Sequence, residues 1–502
     1  ASGDTSLCKI EFAPSSNSEG VIRLATGSSH IKFHDLSVEN TLTVGTVVSV
    51  EGDIEGLEFN SCRLTAGYTS STSYVVYKTG SKADSCKFIN NTILNADYGI
   101  YWYGTSGSSD EGNEFVGNEF LNQSYAGSWI YYQDDLLLDH NVMTTTSSSC
   151  TYGLRVYYAD GNVQVTNNHV YQQPNVSYPR YGMYLYGING LPTSPSIVQG
   201  NAVSLTDYGY TGIYISGSYF VNIMNNSSHT YGPSTSYEAM YINGGYNTLY
   251  NNALNGGDDA RALYVSSGVI ESDNNAYLGD LEFVYWGGTQ SDLSALQAST
   301  GMDMNSVELS GTMFTDTASL VVCNDSLDGA GVANPSYLAD YEGDPVDANA
   351  VDIGADQFAT PASFDVGDIS FCPNDTATIE VFYFDSVVWN LGQYVGSTFD
   401  VFDDGVVYVD GYGICGVAHD TVVVTEAAPV NLPASSSICY MDTLSLSTNI
   451  SNAQSYTWSN GATTPSVELT SEGTYSVTVV DEFGCSSNAT TVATFSTPVT
   501  LA

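Results

Sequence analysis

Two columns of residues recur through the first 300 positions, in short segments where apolar and polar residues alternate. In the first column an Asn follows an apolar pair, as in Phe115-Val116-Gly117-Asn118. Successive copies recur at intervals of about 25 residues, a period typical of solenoid repeats. The column consists of Asn91, Asn118, Asn141, Asn168, Asn201, Asn226, Asn252 and Asn275, with Leu36 and Cys62 at two earlier turns.

Each unit holds short strands around Gly, Asn and Ser turns, and no unit has a convincing helical period. A unit of about 25 residues cannot bury its apolar face alone, so it must stack on copies of itself. Stacked Asn side chains hydrogen-bond from coil to coil, and Asn tolerates the left-handed turn at a corner between sheets. The pattern therefore predicts an all-β chain that begins with a parallel β-solenoid.

The second column lies about half a unit after each Asn and places Tyr between apolar residues, as in Ile213-Tyr214-Ile215. Because alternate residues of a strand point to opposite faces, these Tyr are predicted to form one outward stripe. Aromatic faces stack on sugar rings, which predicts a ligand-binding face. The alternative is that Tyr, a strong strand former, only stabilises the ladder. The predicted ligand-binding residues are Tyr101, Tyr131, Tyr184, Tyr214, Tyr241, Tyr264, Tyr285 and Arg155.

In its coil length and its Asn at a turn, the segment 20–300 resembles the right-handed parallel β-helix family. Residues 289–362 look like the closing segment that follows β-helices in secreted Bacteroidetes proteins, and an open solenoid end needs such a cap. We therefore assign residues 1–362 to a right-handed parallel β-helix with its C-terminal cap. Carboxylates crowd the cap and predict a calcium site, with solvated surface charge as the alternative. They are Asp344, Asp347, Asp352 and Asp356.

A second repeat follows, because Thr360-Pro361, Ala428-Pro429 and Thr497-Pro498 recur at an almost constant spacing. Strands with good alternation, such as that around Tyr475, predict two Ig-like β-sandwich domains. We expect them over residues 363–428 and 429–497, with 498–502 as the start of a further repeat or linker.

Each predicted sandwich contains two cysteines, and the loops between them have similar lengths. This symmetry predicts the disulfides Cys372–Cys415 and Cys439–Cys485, with buried free thiols as the alternative. The remaining cysteines lack such symmetry and their pairing stays open: Cys8, Cys62, Cys86, Cys150 and Cys323.

The second sandwich carries Tyr456-Thr457-Trp458-Ser459-Asn460-Gly461, followed by Gly473-Thr474-Tyr475 and Gly484-Cys485. These motifs resemble the Ig-like repeats of Bacteroidetes cell-surface adhesins, including gliding-motility adhesins exported by the type 9 system. The first sandwich departs from them, with Val388-Trp389-Asn390-Leu391-Gly392 in the corresponding place. The resemblance implies an extracellular location on a bacterial cell surface. It also implies O-glycosylation of Asp-Ser/Thr triplets, at Ser85, Thr317, Ser326, Thr376, Ser386, Thr421 and Thr443.

The charge of the chain excludes two classes of partner. Ten Lys and Arg residues stand against 55 Asp and Glu, the net charge is -45, and no Lys or Arg follows Arg261. Such a field repels phosphate backbones and anionic lipid, which excludes nucleic-acid binding and basic membrane docking. No apolar run reaches the roughly 18 residues of a membrane helix. The start at Ala1-Ser2-Gly3 predicts that this sequence is a processed piece of a longer chain. We expect the other domains of that chain to be partners of this piece.

Two catalytic alternatives depend on single sites. A β-helix lyase needs a base, and Arg155 replaces Tyr in the outward column, although cation–π contact explains it without catalysis. A hydrolase needs two carboxylates, and Asp258-Asp259 is the best pair, although a plain turn explains it. We therefore expect a non-catalytic adhesin segment that binds a polysaccharide or cell-surface glycan. The alternatives are a β-helix polysaccharide lyase or hydrolase, and a structural subunit of a surface filament or layer.

Overall fold

The computed structural model divides into two compact units, residues 1–360 and 361–502. It describes residues 9–12, 20–41, 45–67, 72–147, 149–173, 176, 180–206, 209–231, 236–257, 260–279, 282–316, 318, 320–347, 349–358, 364–382, 384, 386–390, 392–413, 415–439, 442–450 and 453–496. Among these residues, no helix has the length and apolarity needed to cross a membrane.

The first unit is a parallel β-solenoid whose chain passes in turn through three sheets, here named A, B and C. Strands of successive coils pair in parallel, so equivalent positions form columns. Sheet C has twelve strands. They are Lys9–Phe12, Ser37–Asn40, Arg63–Thr65, Thr92–Leu94, Glu119–Leu121, Val142–Thr145, His169–Gln172, Ala202–Leu205, Ser227–Thr230, Ala253–Asn255, Ala276–Leu278 and Val307–Glu308.

Sheets A and B join in the last coils, where one long strand contributes to both. Sheet A contains Gly20–Leu24, Thr46–Val50, Tyr74–Thr79, Tyr98–Tyr103, Ala126–Asp134, Tyr152–Asp160, Tyr181–Asn189, Thr211–Tyr219, Glu238–Tyr250, Arg261–Asp273, Val284–Trp286 and the antiparallel Thr289–Gln290. Sheet B contains Lys32–His34, Glu58–Asn60, Lys87–Ile89, Glu114–Val116, Leu137–Asp139, Gln164–Thr166, Ser196–Gln199 and Val221–Met224. Three short strands lie between the two sheets, at Ile54–Glu55, Ala83–Asp84 and Asp110–Glu111.

Inward-pointing apolar side chains fill the space between the sheets. Phe59, Phe88 and Phe115 are fully buried and stack along sheet B with ring centroids 5.4 and 5.6 Å apart. Sheet A approaches sheet C closely at Gly153, where a Cβ atom would lie 2.6 Å from Cγ1 of the buried Val170. Alternation along sheet A therefore leaves its polar and aromatic side chains on the outer surface.

The predicted Asn ladder is present between sheets B and C. Asn168 Nδ2 donates to Oδ1 of Asn201 at 2.9 Å and to the carbonyl of Leu138 at 2.8 Å. Equivalent amide bonds join every member of the column from Asn91 to Asn275. Cys62 takes the same position, since its backbone N–H donates to Asn91 Oδ1 at 2.9 Å. All these amides are buried, so the ladder satisfies polar groups that have no access to water.

The left-handed turn does not lie at the ladder Asn, as predicted, but at the residue before it. Asn167 has φ 53° and Gly200 has φ 66°. The other corners are turned by Asn90, Gly117, His140, Asn225, Asn251 and Asn274. Because the preceding residue makes the corner, the ladder side chain is free to point into the interior and bond along the stack.

The segment after Gln290 contains the one α-helix of the described residues, Leu293–Thr300. Asp292 caps it by accepting from the backbone of Ala295 at 2.8 Å, and the helix ends at Gly301 with φ 71°. Phe314–Asp316 and Val321–Val322 then form an antiparallel pair. Asp303 Oδ1 closes the Asn ladder, because it accepts from Asn275 Nδ2 at 3.2 Å.

The second unit contains two sets of strands, each with its own core. The first set surrounds the buried Trp389 and the second surrounds Trp458. The first consists of Ile369–Phe371, Ala377–Glu380, Ser386–Trp389, Tyr394–Val395, Thr398–Val401, Gly405–Gly413 and Gly416–Glu426. The second consists of Ser435–Ile438, Leu444–Ser447, Ser455–Trp458, Ser466–Leu469, Gly473–Val480 and Ser486–Phe495.

Both predicted disulfide pairings are wrong. Cys372 bonds to Cys485 across the two sets, so neither Cys372–Cys415 nor Cys439–Cys485 forms. Cys415 is disulfide-bonded elsewhere, and Cys439 is an exposed free thiol. Cys372 and Cys439 occupy equivalent turns, since each carbonyl accepts from the N–H three residues later, at 3.0 and 3.1 Å. The first cysteine of the first set therefore bonds to the second set instead of closing a loop within its own set, whereas its equivalent Cys439 stays a free thiol.

Cys62, Cys86 and Cys150 are buried free thiols, and Cys8 lies outside the described residues. The hydrogen bond from Cys62 Sγ to the carbonyl of Phe33, at 3.4 Å, takes the place of an Asn amide in the ladder.

Candidate functional site

The predicted tyrosine stripe lies on the outer surface of sheet A, in one stacked column that we name the central column. Its rings are half-buried, and the centroids of Tyr184, Tyr214 and Tyr241 are 4.6 Å apart at each step. The in-register members are Tyr77, Tyr101, Trp129, Arg155, Tyr184, Tyr214, Tyr241, Tyr264 and Tyr285. All the predicted tyrosines except Tyr131 belong to it.

Tyr131 belongs to a second column, two residues further along each strand. It pairs in register with Tyr103 and Tyr157, at centroid distances of 4.7 and 4.8 Å, and Trp129 takes its predicted place. The aromatic residues of this downstream column end at Tyr186. The prediction missed it because the Trp129-Ile130-Tyr131 segment offers two outward aromatic residues instead of one.

A third column lies three residues before the central one and was also missed. Tyr74, Tyr98, Tyr152 and Tyr181 belong to this upstream column, which continues in register through Thr211, Glu238 and Arg261. The signal was available as the motif Tyr-Gly-apolar-Tyr at Tyr98 and Tyr181. The Gly interrupts the period-2 pattern, so strict alternation passes over the Tyr before it. We name the three columns together the aromatic face.

Arg155 interrupts the ring stack of the central column. Its Cζ lies 3.6 Å from the Trp129 centroid and 5.2 Å from that of Tyr184. Tyr152 and Tyr157 flank it at 4.6 and 4.8 Å. The predicted cation–π contact is therefore present, and the side chain is only 7% exposed.

Three phenol groups of the aromatic face stay neutral at neutral pH. Burial raises the pKa of Tyr74 and of Tyr131 to about 12, and it raises the pKa of Tyr184 further. Each hydroxyl is thus able both to donate and to accept a hydrogen bond.

A buried carboxyl lies at one end of the upstream column. Glu238 Oε1 accepts from the Thr211 hydroxyl at 2.9 Å. Burial raises the pKa of Glu238 to about 7, against the smaller lowering effects of the Thr211 hydrogen bond and the Arg261 charge. Arg261 itself binds Glu282, with Nε 2.5 Å from Oε2. Arg261 is thus the in-register neighbour of Glu238 on the next coil and holds the carboxylate of Glu282.

The predicted calcium ligands do not come together. Among the described residues, no group of three or more His, Cys, Asp or Glu side chains is arranged to hold a metal ion. Asp352 is buried and accepts from the backbone of Gly329 and Phe358, whereas Asp347 is exposed and accepts from Asn349. Asp344 is exposed and Asp356 is buried, and the nearby carboxylates of Asp340 and Glu342 add to the burial that raises the pKa of Asp356.

The remaining predicted sites are dispersed. Asp258 and Asp259 lie outside the described residues, as does Thr317. The other predicted glycosylation residues are all exposed: Ser85, Ser326, Thr376, Ser386, Thr421 and Thr443.

Comparisons with known proteins add a fold but no function. No curated protein matches the chain. Among solved structures, the N-terminal four Ig domains of Dscam1 isoform 1.9 match at 12% identity and TM-score 0.17, over 26% of this chain and 44% of that one. The two Ig domains of DIP-gamma match at 8% identity and TM-score 0.19, over 26% and 95%. The chain thus spans less than half of the Dscam1 structure. TM-scores this low do not establish a shared fold.

The family comparison concerns the first unit. Residues 108–277 match the model described as a right handed beta helix region. These residues include the Asn ladder from Asn118 to Asn275 and most of the aromatic face. Together with the parallel strands of sheets A to C, the match identifies this part of the chain as a right-handed parallel β-helix.

Proposed function

We propose that the β-helix binds a polysaccharide or cell-surface glycan through the aromatic face, as a non-catalytic segment of an extracellular adhesin. The observation that carries this proposal is the three parallel columns of half-buried rings on sheet A. At about 4.8 Å per coil, the central column from Tyr77 to Tyr285 extends roughly 40 Å, enough for several sugar rings.

The chemistry of the face suits sugars. Ring faces stack on the apolar C–H faces of pyranoses, and neutral phenols hydrogen-bond their hydroxyls. Ser216 and Asn243 continue the downstream column beyond Tyr186 and add further hydrogen-bonding groups. A rigid parallel sheet keeps the rings in place before binding, which lowers the entropic cost of association.

The test is retention of the 502-residue protein on a panel of immobilised neutral and acidic polysaccharides. The double variant Tyr214→Ala/Tyr241→Ala is expected to lose at least tenfold in affinity, since each ring stack contributes about 0.5–1.5 kcal/mol. The matched control is Phe220→Ala/Tyr246→Ala, which removes a stacked pair outside the three columns. We expect the control to bind like the parent protein.

The same incubation measures catalysis through new reducing or unsaturated chain ends. Retention without new ends, lost in the double variant, supports the binding module. New chain ends refute the non-catalytic proposal. If no glycan is retained, a structural subunit of a surface filament or layer becomes the better account, and self-assembly is then the property to measure.

A carbohydrate-active enzyme is the second candidate, and Glu238 favours it. A carboxyl with a pKa of about 7 is able to act as a general acid, which is one of the two carboxyl roles that glycoside hydrolysis requires. New reducing ends that disappear in Glu238→Gln, with retention unchanged, would establish this candidate.

We further propose that the two strand sets of the second unit are Ig-like sandwiches of a bacterial surface protein. Their support is a buried Trp in each set and the Trp458 motif of the second. Secretion by the type 9 system of Bacteroidetes and O-glycosylation belong to the same proposal. Peptide mass mapping of protein isolated from its source tests it, with a glycan on the exposed Thr376 or Thr421 triplet as the expected result.

A further inference from the structure

Arg155 is a buried cation without a counter-charge among the described residues. Within the described chain, other basic side chains pair with carboxylates, namely Arg23, Lys32, Lys78, Lys82, Lys87 and Arg261. Arg155 forms no ion pair with a described residue, and its Nε is buried without a hydrogen-bond partner. A cation left unpaired in a protein of net charge -45 is an unusual arrangement that calls for a ligand.

The surrounding rings fix the guanidinium in an orientation suited to an anion. Trp129 and Tyr184 lie before and after it in the column, so stacking occupies the faces of the planar group. Its N–H donors lie in the plane of the group, and the Nε donor has no hydrogen-bond partner among the described residues. A planar fork of this kind matches the two oxygens of a carboxylate.

No group of the aromatic face competes for this cation. The nearest flanking side chains are Tyr152 and Tyr157, whose ring centroids lie 4.6 and 4.8 Å from the guanidinium carbon. Tyr131 is neutral at pH 7, because burial raises its pKa to about 12. Whatever oxyanion binds Arg155 must therefore come from outside the described chain.

We propose that Arg155 is the subsite for an oxyanion on a sugar ring, above all the carboxylate of a uronic acid, within a glycan whose neighbouring sugars stack on the aromatic face. This inference rests on the proposed function and adds the class of glycan. The net charge of -45 disfavours a densely charged polyanion, since repulsion acts over about 8 Å in physiological salt. The ligand is therefore a sparsely charged glycan, with single acidic sugars between neutral ones.

The test compares matched oligosaccharides that contain one glucuronate, one glucose in its place after carboxyl reduction, or one sulfate ester. The 502-residue protein is expected to bind the acidic form at least tenfold more tightly than the reduced form. Arg155→Gln should abolish this preference, so that the variant binds the acidic and the reduced forms with equal affinity. Arg155→Lys should lose most of the preference for the acidic form, because the ammonium group keeps the charge without the planar fork.

Arg63→Gln is the matched control, since it removes one positive charge from an exposed position on sheet C. It should keep the preference. The inference fails if the parent protein binds the glucuronate, sulfate and reduced forms equally, or if the preference survives in Arg155→Gln. A preference for the sulfate ester alone keeps the subsite and makes sulfate its anion. If neither the acidic nor the reduced form binds, the proposed function fails together with this inference.

Discussion

Glu238 shows how a single buried residue makes stability depend on pH. Its pKa is raised to about 7 in the folded chain, against about 4.3 for an unfolded Glu. Between these values the folded state holds a proton that the unfolded state has lost, so this contribution to stability falls as pH rises from about 4 to about 7. The loss is about 4 kcal/mol at most.

Glu238→Gln should remove this dependence, because the amide keeps the Thr211 hydrogen bond and does not titrate. Urea unfolding at pH 4.5 and pH 7.5 measures this pH dependence. The quantity compared is the change in the free energy of unfolding between the two pH values, in the parent protein and in the variant. The comparison is needed because Asp340 and Asp352 also have raised pKa values, of about 6 and about 8. Equal pH slopes in the two proteins would mean that Glu238 is ionised in the folded state at neutral pH.

The cysteines differ strongly in reactivity. Cys439 is exposed, whereas burial raises the pKa of Cys86 and of Cys150 to about 12. A thiol-specific maleimide should therefore modify Cys439 in the native protein within minutes and leave the buried thiols intact until urea is added. A peptide map without reduction should contain a peptide linking Cys372 to Cys485. A link between Cys439 and Cys485 would contradict the pairing described above.

At the scale of residues, the sequence predicts on which face a side chain lies better than it predicts which residue that side chain contacts. The outward Tyr and the cation–π contact of Arg155 follow from alternation alone. The disulfides do not, because four cysteines allow three connectivities and the spacing of Cys372 and Cys415 does not choose among them. Glu238 was missed because burial, which raises its pKa, depends on side chains from adjacent coils.

The Asn ladder is the element that ties the coils together. Asn168→Ala removes the acceptor of Asn141 Nδ2 at 2.9 Å and the donor to the Leu138 carbonyl at 2.8 Å. Each buried group left without a partner costs about 1–3 kcal/mol, so we expect a loss of about 2–4 kcal/mol in the free energy of unfolding. Asn162→Ala is the control, since this Asn is exposed. A loss no larger than that of an ordinary surface substitution, about 0.5 kcal/mol, would show that the ladder does not stabilise the fold.

At the scale of elements, the sequence predicts the repeat but not its details. Eight in-phase Asn residues indicate a solenoid because only stacking buries such short units. The corner conformation is displaced by one residue, to Asn167 and its equivalents, since the ladder side chain must point inward. The upstream column escaped notice because Gly99 and Gly182 break the alternation next to Tyr98 and Tyr181.

The distribution of charge acts on the whole molecule. All Lys and Arg residues lie at or before Arg261, so the second unit contains carboxylates without any basic partner except His419. Within this unit like charges repel, and the range of the repulsion falls from about 30 Å at 0.01 M salt to about 8 Å at 0.15 M. The first unit, by contrast, pairs many of its cations with carboxylates, as in Lys78–Asp110.

We therefore expect the thermal unfolding midpoint of the second unit to rise with NaCl between 0.01 and 0.15 M at pH 7, and that of the β-helix to rise less. Replacing Trp102, Trp129 and Trp286 with Phe would leave Trp389 and Trp458 as fluorescent reporters of the second unit. At pH 3 most carboxylates are protonated and the salt effect should largely disappear, which separates repulsion from general salt effects. A midpoint that does not change with salt at pH 7 would mean that the carboxylates lie too far apart to interact, and the lack of Lys and Arg would then have no energetic consequence for the fold.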